Sequence, residues 1–483
     1  MSISQAHDLV RELPSNANFN AIFENQKAAF ESNKFPSLTQ RRQHLKALKN
    51  LLTDNSDLII TALCKDFGNR CTEETRLSEI SNSINNIDYA SHKLSTWMRP
   101  HKRGTGIWFL PGENQIVPQP RGVVGIIVPW NYPINIAVSG LASAIAAGNR
   151  CMVKMSECTP ATEKLLRELI ASKFSPDHIS IEGGEADAAA TFSALPFDHL
   201  MFTGSTRVGH FVMAAAAKNL TPVTLELGGK SPVIVDEKYP IDEVAKRVLW
   251  GKTYNAGQTC IAPDYALLPT GSTENFIVWI SRHFRAHFPN GVASNDYTSI
   301  INKAHYDRLT ALVNDAEADG ARIVRLEEPS PEHVKNRKFP LTLVINPSPG
   351  SRVMKEEIFG PVLPVLETKS VNDAINFVNA RARPLALYLF SNSNRLQDEV
   401  LKSTHAGGVT INDVLMQYLQ AAQPFGGIGS SGFGSYHGKE GFLTFSHMKP
   451  VFKQRGIGRF TGVKLLYPPY GNIGRRLISL MGG

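Results

Sequence analysis

The feature that most constrains the fold of this 483-residue chain is a stretch of 28 residues, 122–149, without a formal charge. Such a length is sufficient for a helix to cross a bilayer. Near its first third, however, two prolines and two asparagines lie close together: Pro129, Asn131, Pro133 and Asn135. This grouping would disrupt a helix exposed to lipid. We therefore predict a buried strand at 123–128, a turn, and a buried helix at about 134–147.

The rest of the chain extends this alternation of strands and helices. Helical periodicity marks 19–60 and 73–98, and helices are also predicted after Pro160, at 206–217 and at 304–318. The predicted strands after the first lie at 152–155, 179–181, 199–202, 223–226, 233–235, 265–268, 341–345 and 362–366. Such alternation is typical of parallel, doubly wound sheets. We predict an α/β fold with two doubly wound lobes.

Two segments fit neither lobe, namely 115–119 and the tail after Gly432. Both are extended and strand-prone, so we expect them to pair with each other or with another subunit, an ordinary edge extension being the alternative. The net charge is +8, which is too small for a nucleic-acid-binding face. From residue 449 onward there is no acidic residue but seven basic ones: Lys449, Lys453, Arg455, Arg459, Lys464, Arg475 and Arg476.

Cysteine usage and the first residues indicate a reducing compartment. The five cysteines are too few and too widely spaced for a disulfide scaffold, and their spacing matches no zinc pattern. Asp8, Arg11 and Glu12 precede any apolar run, which argues against a secretory signal. We predict a cytoplasmic protein with no metal.

Two residues are candidates for covalent chemistry. Cys260 ends the small, polar segment NAGQTC, which leaves the backbone close to whatever its sulfur attacks. Glu226 ends a predicted strand and precedes two glycines, and open α/β sheets bind ligands at that edge. A lone cysteine is more often a small core residue, and a carboxylate at the start of a loop is often just a surface group. The sequence does not show that the two lie near each other.

Other segments suggest nucleotide binding and an oxyanion site. The run from Gly204 to Gly209 leaves a strand and enters a helix, whose N-terminus favours a phosphate, although one glycine of the usual fingerprint is missing. Lys154 and Glu157 follow another strand and suit ribose hydroxyls, a surface ion pair being the alternative. Asn131 lies in a turn made rigid by two prolines and could supply an oxyanion donor.

Taken together, these segments resemble the NAD(P)-dependent aldehyde dehydrogenase superfamily, over roughly residues 20–450. The resemblance rests on seven motifs in chain order: PWNYP, GNRCMVKMSE, FTGSTRVG, TLELGGKSP, NAGQTC, EEIFGP and PFGGIGSSG. Within the superfamily, the chain is similar to class 3 in TPVTLELGGKSP, CIAPDY and SYHGKEGFLTFSH. It is most similar to coniferyl aldehyde dehydrogenases in KMSE and PFDHLMFTGSTRVG.

The resemblance implies a role for each matching residue. Cys260 would be the nucleophile, Glu226 the general base and Asn131 the side-chain donor of the oxyanion hole. The cofactor, NAD with NADP as a possibility, would be held by Trp130, Lys154, Glu157, Gly204, Ser205, Thr206, Arg207, Val208, Gly209, Glu357 and Phe359. Family members use a five-stranded variant of the dinucleotide fold, which accounts for the incomplete glycine fingerprint.

The resemblance also implies an organisation and a reaction. The NAD-binding domain would span 1–101, 121–227 and 411–433, the catalytic domain 228–410, and an oligomerisation hairpin with the tail 102–120 and 434–483. The reaction would be oxidation of an aromatic, coniferyl-type aldehyde by a homodimer. Alternatives are a long-chain aliphatic substrate, transfer of the acyl group to CoA, and an inert structural relative. For the basic tail, packing across a dimer is favoured over contact with a membrane surface, which stays open.

Overall fold

The computed structural model describes residues 19–455 and 462–481. Asp8, Arg11 and Glu12, on which the expected absence of a signal rests, lie outside the described residues. Arg459 of the basic tail also lies outside them, as do residues 1–18 of the expected NAD-binding domain and residues 456–461 and 482–483 of the expected tail.

The α-helices are, in chain order, α1 (Phe19–Ser32), α2 (Leu38–Asp54), α3 (Ser56–Phe67), α4 (Thr72–Thr75), α5 (Asn82–Trp97), α6 (Pro133–Ala147), α7 (Pro160–Ala171), α8 (Ala186–Ser193), α9 (Thr206–Ala217), α10 (Ile241–Thr253), α11 (Thr273–His287), α12 (Lys303–Ala318), α13 (Pro331–Lys335), α14 (Arg352–Lys355), α15 (Val371–Asn379), α16 (Asn394–Ser403), α17 (Gly438–Thr444) and α18 (Asn472–Met481). A π-helical turn, Arg76–Ser81, joins α4 to α5.

The strands are β1 (His101–Arg103), β2 (Glu113–Pro120), β3 (Val123–Ile127), β4 (Arg150–Lys154), β5 (Ile179–Glu182), β6 (His199–Gly204), β7 (Val223–Leu227), β8 (Pro232–Val235), β9 (Tyr265–Pro269), β10 (Arg322–Arg325), β11 (Thr342–Ile345), β12 (Val362–Thr368), β13 (Ala386–Phe390), β14 (Gly408–Ile411), β15 (Gly432–Phe433) and β16 (Ser446–Lys453). The predicted strands are all present, with ends shifted by up to two residues.

These strands form two large sheets. The six-stranded sheet has the order β15-β7-β6-β3-β4-β5 and is parallel except for β15. The seven-stranded sheet has the order β10-β11-β12-β9-β8-β13-β14 and is parallel except for β10. The predicted α/β fold is therefore confirmed.

The uncharged stretch forms the centre of the first lobe. Strand β3 is buried along its whole length, and all fifteen residues of α6 are buried as well. Pro133 begins the helix, where its missing N–H costs nothing. Gly148 ends the helix in the left-handed region, at φ 93°. No helix in the described part of the chain combines the length and apolar character that crossing a membrane requires.

A third, antiparallel sheet has the order β1-β2-β16. Strands β2 and β16 pair along eight residues each, from Ser446 opposite Pro120 to Lys453 opposite Glu113. We expected segment 115–119 and the tail after Gly432 to pair either with each other or with another subunit. In the structure they pair with each other. Beyond the sheet, α18 leaves Ile473 and Leu480 more than 60% exposed.

The topology brings the carboxyl ends of five parallel strands to one edge of the six-stranded sheet. In the register, Ile127 of β3 lies opposite Lys154 of β4, and Thr203 of β6 lies opposite Glu226 of β7. Parallel α/β sheets bind ligands at this edge. The turn with Asn131 and the loop after Gly204 also leave the sheet there.

Candidate active site

One cavity brings Cys260 and Glu226 together. Its wall is otherwise mostly apolar and aromatic, and includes Leu77, Tyr132, Ile136, Trp250, Tyr254, Ile261, Leu385, Leu415, Tyr418, Leu419, Phe425 and Tyr436. The two residues come from different parts of the chain: Glu226 from β7 and Cys260 from the loop before β9. The proximity that the sequence left open is thus observed.

The segment 255–260, which we call the nucleophile loop, begins with an unusual backbone. Asn255, Ala256 and Gly257 all have positive φ, at 50°, 51° and 70°. A Cβ atom on Gly257 would lie 2.6 Å from the carbonyl oxygen of Gly360, so glycine is required there by both conformation and space. The three residues reverse the chain directly after α10.

A buried glutamine fixes this loop to its surroundings. The Gln258 side-chain nitrogen donates to the carbonyl oxygens of Asn255, at 2.9 Å, and Ser299, at 3.1 Å. Its side-chain oxygen accepts the Ile301 N–H at 2.9 Å. Because both ends of the amide are hydrogen-bonded and the residue is fully buried, the backbone before Cys260 has little freedom.

Asn131 lies against the same loop. Its Nδ2 donates to the Gln258 carbonyl oxygen at 3.1 Å, and its own carbonyl oxygen accepts from Asn255 Nδ2 at 3.3 Å. An amide nitrogen carries two hydrogens, so one donor remains beyond the bond to Gln258. The neighbouring Tyr132 hydroxyl bonds to Thr259 Oγ1 at 2.7 Å. The turn with Asn131 and the nucleophile loop therefore form one hydrogen-bonded unit.

The Cys260 thiol lies in an environment that disfavours the thiolate. Burial raises the pKa of Cys260 to about 12, and the nearby carboxylates of Glu357 and Glu226 act in the same direction. The backbone N–H groups of Cys260 and Ile261 oppose this shift. In the free protein the sulfur is therefore protonated at neutral pH, and attack by it requires removal of a proton.

Glu226 is almost fully buried, with 2% exposure. Among the described residues, neither of its carboxyl oxygens has a hydrogen-bond partner. Burial raises the pKa of Glu226 well above its usual value. A carboxyl group that faces a cavity, has no partner and has an elevated pKa is suited to exchange protons with a reactant.

Glu357 is the second carboxyl group near the thiol. Burial raises the pKa of Glu357 to about 8 and Asp264 adds to the effect, while the Gly229 N–H, Lys230 and Arg308 oppose it. Its Oε2 lies 2.1 Å from where a Cβ atom on Gly228 would be. Glycine at 228 therefore makes room for this carboxyl group. In the described part of the chain, its Oε1 has no hydrogen-bond partner.

Two aromatic residues of the predicted cofactor set lie in contact. The rings of Trp130 and Phe359 meet edge to face, with centroids 5.3 Å apart. Phe359 itself has a φ of 50°, a conformation that is strained for a large side chain. Trp130 also contacts the ring of His305, with centroids 4.9 Å apart.

The segment 204–209, which we call the glycine loop, is held by a local helix cap and by a longer-range bond from the Thr206 hydroxyl to the Ser430 carbonyl oxygen at 3.4 Å. Ser205 caps α9 by accepting the Val208 N–H at 3.3 Å. A Cβ atom on Gly209 would lie 2.8 Å from Leu227 Cδ2, so this glycine allows α9 to pack on β7. The side chains of Arg207 and Val208 are exposed, and Gly204 ends β6.

Lys154 and Glu157 differ in their surroundings. Lys154 is buried, and its ammonium donates to the carbonyl oxygens of Met155, at 2.7 Å, and Gly184, at 2.6 Å. Burial lowers the pKa of Lys154, against the opposing effect of Glu157. Glu157 is exposed. The backbone thus orients the lysine, whereas the exposed glutamate is held by long contacts from the Ser156 hydroxyl, at 3.4 Å, and the Cys158 thiol, at 4.0 Å.

A second cavity connects the two predicted parts of the cofactor site, because Thr206 and Glu357 both line it. The residues present fit a dinucleotide. The unpartnered Oε1 of Glu357 can accept from a hydroxyl group, and the twelve-residue helix α9 begins beside it with N–H groups that suit a phosphate.

Several residues of the site carry no signal in the sequence. Gln258 lies inside a motif that was recognised, but its role in holding the loop depends on Ser299 and Ile301, distant in sequence. Glu74, whose carboxylate accepts the Asn255 N–H at 2.9 Å, belongs to an ordinary acidic helix start. The asparagine and glycine before Cys260 do favour positive φ, and this alone could have indicated the turn.

The chain belongs to the aldehyde dehydrogenase family, whose model matches residues 12–451. It is an oxidoreductase of that family, as the resemblance of its motifs implied. A relative from Pseudomonas aeruginosa, named "Probable coniferyl aldehyde dehydrogenase", is 47% identical over 458 residues, covering 95% of each chain. The predicted similarity to coniferyl aldehyde dehydrogenases is therefore confirmed.

Solved structures agree with this assignment. The substrate-bound state of Staphylococcus aureus AldH has a TM-score of 0.90 at 36% identity and covers 96% of this chain and 99% of that one. A betaine aldehyde dehydrogenase from the same organism, solved in complex with NAD⁺, has a TM-score of 0.82 at 25% identity. It covers 92% of this chain and 88% of that one.

Proposed function

We propose that the protein oxidises an aromatic aldehyde of the coniferyl type to its carboxylic acid, with Cys260 as nucleophile and Glu226 as general base. The observation that carries the proposal is the shared cavity of these two groups, walled by apolar and aromatic side chains. Such walls suit an aryl group. The name of the relative from Pseudomonas aeruginosa supports the same substrate class.

The first step forms a bond between the Cys260 sulfur and the aldehyde carbon. Because the thiol is protonated in the free protein, its proton must pass to solvent before the sulfur can attack. The carbonyl oxygen becomes an oxyanion on a thiohemiacetal. The free hydrogen of Asn131 Nδ2 and the Cys260 backbone N–H stabilise this charge.

The second half of the reaction regenerates the thiol. NAD, held by the glycine loop and Glu357, would supply the hydride acceptor, and loss of a hydride from the thiohemiacetal carbon would leave a thioester on Cys260. Glu226 then takes a proton from a water molecule, whose oxygen attacks the thioester carbon. The carbon–sulfur bond breaks, the sulfur regains a proton, and the carboxylic acid leaves.

We propose that NAD is preferred over NADP. The exposed Glu157 would accept hydrogen bonds from ribose hydroxyls and would repel a 2′-phosphate. Lys154 would help to bind the same ribose, Trp130 would lie along the cofactor with Phe359 against it, and Glu357 would bind the second ribose. The phosphates would lie at the glycine loop, Gly204 to Gly209.

A kinetic panel tests substrate and cofactor together. Purified protein is assayed with coniferyl, benzyl and long-chain aliphatic aldehydes, each with NAD⁺ and with NADP⁺. We expect the highest kcat/KM for the aromatic aldehydes with NAD⁺. A preference for long-chain aldehydes would show that the substrate is aliphatic and not aromatic. Formation of acyl-CoA in place of the acid, when CoA is added, would show that CoA and not water receives the acyl group. No NADH with any aldehyde would favour an inert relative.

We also propose a cytoplasmic homodimer with the three-part division given above. All five cysteines are unpaired, which supports a reducing compartment. Exposed apolar side chains support self-association: Phe211 on α9 is 68% exposed, and Ile473 and Leu480 on α18 are 67% and 63% exposed. Light scattering coupled to size exclusion tests the dimer, and a monomer at micromolar concentration would contradict it.

A further inference from the structure

The nucleophile loop contains a backbone conformation that needs external support. Asn255, Ala256 and Gly257 are three successive residues in the left-handed region. Asparagine and glycine visit this region routinely, but in alanine the Cβ atom comes too close to the next carbonyl oxygen. Such a backbone persists only where the surrounding structure determines it. The question is which group holds the turn.

A carboxylate 181 residues earlier in the chain provides this support. Glu74 Oε2 accepts the Asn255 N–H at 2.9 Å. Burial raises the pKa of Glu74 to about 7, and the hydrogen bond is stronger in the ionised form. The Thr298 hydroxyl donates to the same oxygen at 3.2 Å. Thr298 is held in turn, because its Oγ1 accepts the Cys71 N–H at 3.1 Å. Hydrogen bonds from Asn255 and Thr298 therefore hold this oxygen of Glu74 in place.

The residue that Glu74 holds connects the two parts of the active site. Asn255 Nδ2 donates to the carbonyl oxygens of Gln258, at 3.2 Å, and Asn131, at 3.3 Å. A shift of Asn255 therefore moves both the loop that carries Cys260 and the turn that carries the oxyanion donor. A misplacement of about 1 Å can reduce a rate by roughly 100-fold.

We propose that the Glu74 carboxylate is a positioning residue, which holds the left-handed turn 255–257 and so places the Cys260 sulfur and the Asn131 amide for reaction. The proposal rests on the proposed function, in which Cys260 is the nucleophile. Glu74 does not itself line the cavity. Its effect reaches the substrate only through Asn255.

The main-chain hydrogen bonds of Glu74 lead us to expect that its substitution changes kcat but not KM. The Glu74 carbonyl oxygen accepts from the Ser78 hydroxyl at 2.6 Å and from the Tyr254 hydroxyl at 3.1 Å. Both Ser78 and Tyr254 line the cavity. Because these bonds use the main chain, Glu74→Ala leaves the cavity wall in place. The aldehyde KM should therefore stay constant while kcat falls.

The experiment compares Glu74→Ala and Glu74→Gln with Glu73→Ala, which removes the exposed carboxylate one residue earlier. The readouts are kcat, the aldehyde KM, and the rate of iodoacetamide alkylation at Cys260, followed by peptide mass spectrometry. We expect Glu74→Ala to lower kcat roughly 100-fold with little change in KM, and to alter the alkylation rate. Glu74→Gln keeps an oxygen acceptor and should restore much of kcat. Glu73→Ala should match the wild type.

A second substitution tests the mechanism. Glycine adopts positive φ without steric cost, so Ala256→Gly added to Glu74→Ala should recover part of kcat. Folded Glu74→Ala protein with wild-type kcat and alkylation rate would overturn the proposal, as would an absence of recovery with Ala256→Gly. If Glu74→Ala does not fold, Glu74→Asp is used instead, because its shorter side chain moves the carboxylate away from Asn255. A wild-type kcat in Glu74→Asp would also overturn the proposal.

Failure of the proposed function gives a different result. Wild-type protein that forms no NADH, or a Cys260→Ala variant that remains active, would remove the nucleophile itself. The alkylation rate of Cys260 needs no turnover, so it still reports whether Glu74 positions the sulfur.

Discussion

The nucleophile loop and the glycine loop are held in place in opposite ways. The bonds of the nucleophile loop reach far along the chain: Glu74 lies 181 residues from Asn255, and Asn131 lies 127 residues from Gln258. The cap of the glycine loop spans three residues, from Ser205 to Val208. The nucleophile loop is fixed mainly by bonds to distant segments, whereas the glycine loop relies on its own helix cap and on one longer bond, from Thr206 to Ser430 at 3.4 Å.

This difference follows from what each loop does in the proposed reaction. A reacting sulfur must be placed to a fraction of an ångström, and its environment must be set before the substrate arrives. A phosphate held by backbone N–H groups at a helix start needs only the cap and the helix. Changes in the nucleophile loop should therefore affect rates strongly, and changes in the glycine loop should affect binding modestly.

The largest expected effect is that of Cys260→Ala, which removes the atom that forms the covalent bond. NADH formation should fall below detection while the melting temperature stays near that of the wild type. Cys64→Ala, in the half-buried helix position of α3, is the matched control and should remain active. Turnover near the wild-type value in Cys260→Ala would remove Cys260 as the nucleophile.

Glu226→Gln should separate the two halves of the reaction. Hydride transfer should still give a burst of NADH, whereas steady-state acid release should slow by roughly 100- to 10,000-fold, the usual contribution of a general base. Because burial raises the pKa of Glu226, its basic form increases as the pH rises, so the wild-type rate should rise with pH. In the variant, this dependence should disappear. Stopped-flow absorbance measures both, and an unchanged steady state would argue against Glu226.

Asn131→Ala removes the side-chain donor for the oxyanion. Loss of one such donor costs roughly 100- to 1000-fold in kcat, and the burst should slow by the same factor. Asn131→Asp keeps the size of the side chain but replaces the donor with a negative charge. We therefore expect its kcat to be no higher than that of Asn131→Ala. A burst of normal rate in Asn131→Ala would exclude it from the oxyanion site.

Ser205→Ala tests the glycine loop and should have the smallest effect. Loss of a helix cap costs about 1 kcal/mol of stability, and the KM for NAD should rise by less than about tenfold, since tenfold corresponds to 1.4 kcal/mol. The matched control is Ser393→Ala, which removes the equivalent cap of α16 and should lower stability without changing that KM. A loss of kcat in Ser205→Ala would mean that the two loops do not differ as described.

The same contrast separates what the sequence could predict from what it could not. The helix after the glycine loop was predicted at 206–217 and occupies those residues, because its cap and periodicity are local. The proximity of Cys260 to Glu226 could be inferred only through the family resemblance and not from the residues themselves, since it depends on how distant segments pack. Nor could Glu74, because a hydrogen bond across 181 residues leaves no trace in either segment.

Strand β15 has a consequence for the synthesis of the protein. Its two residues, Gly432 and Phe433, pair with Glu226 and Leu225 at the outer edge of β7. A Cβ atom on Gly432 would lie 1.8 Å from the Leu225 carbonyl oxygen, so the two backbones are in close contact. In a nascent chain, the surroundings of Glu226 can therefore be completed only after residue 433 has left the ribosome. Until then the polypeptide has made both Cys260 and the strand that carries Glu226, but not the edge strand that pairs with it.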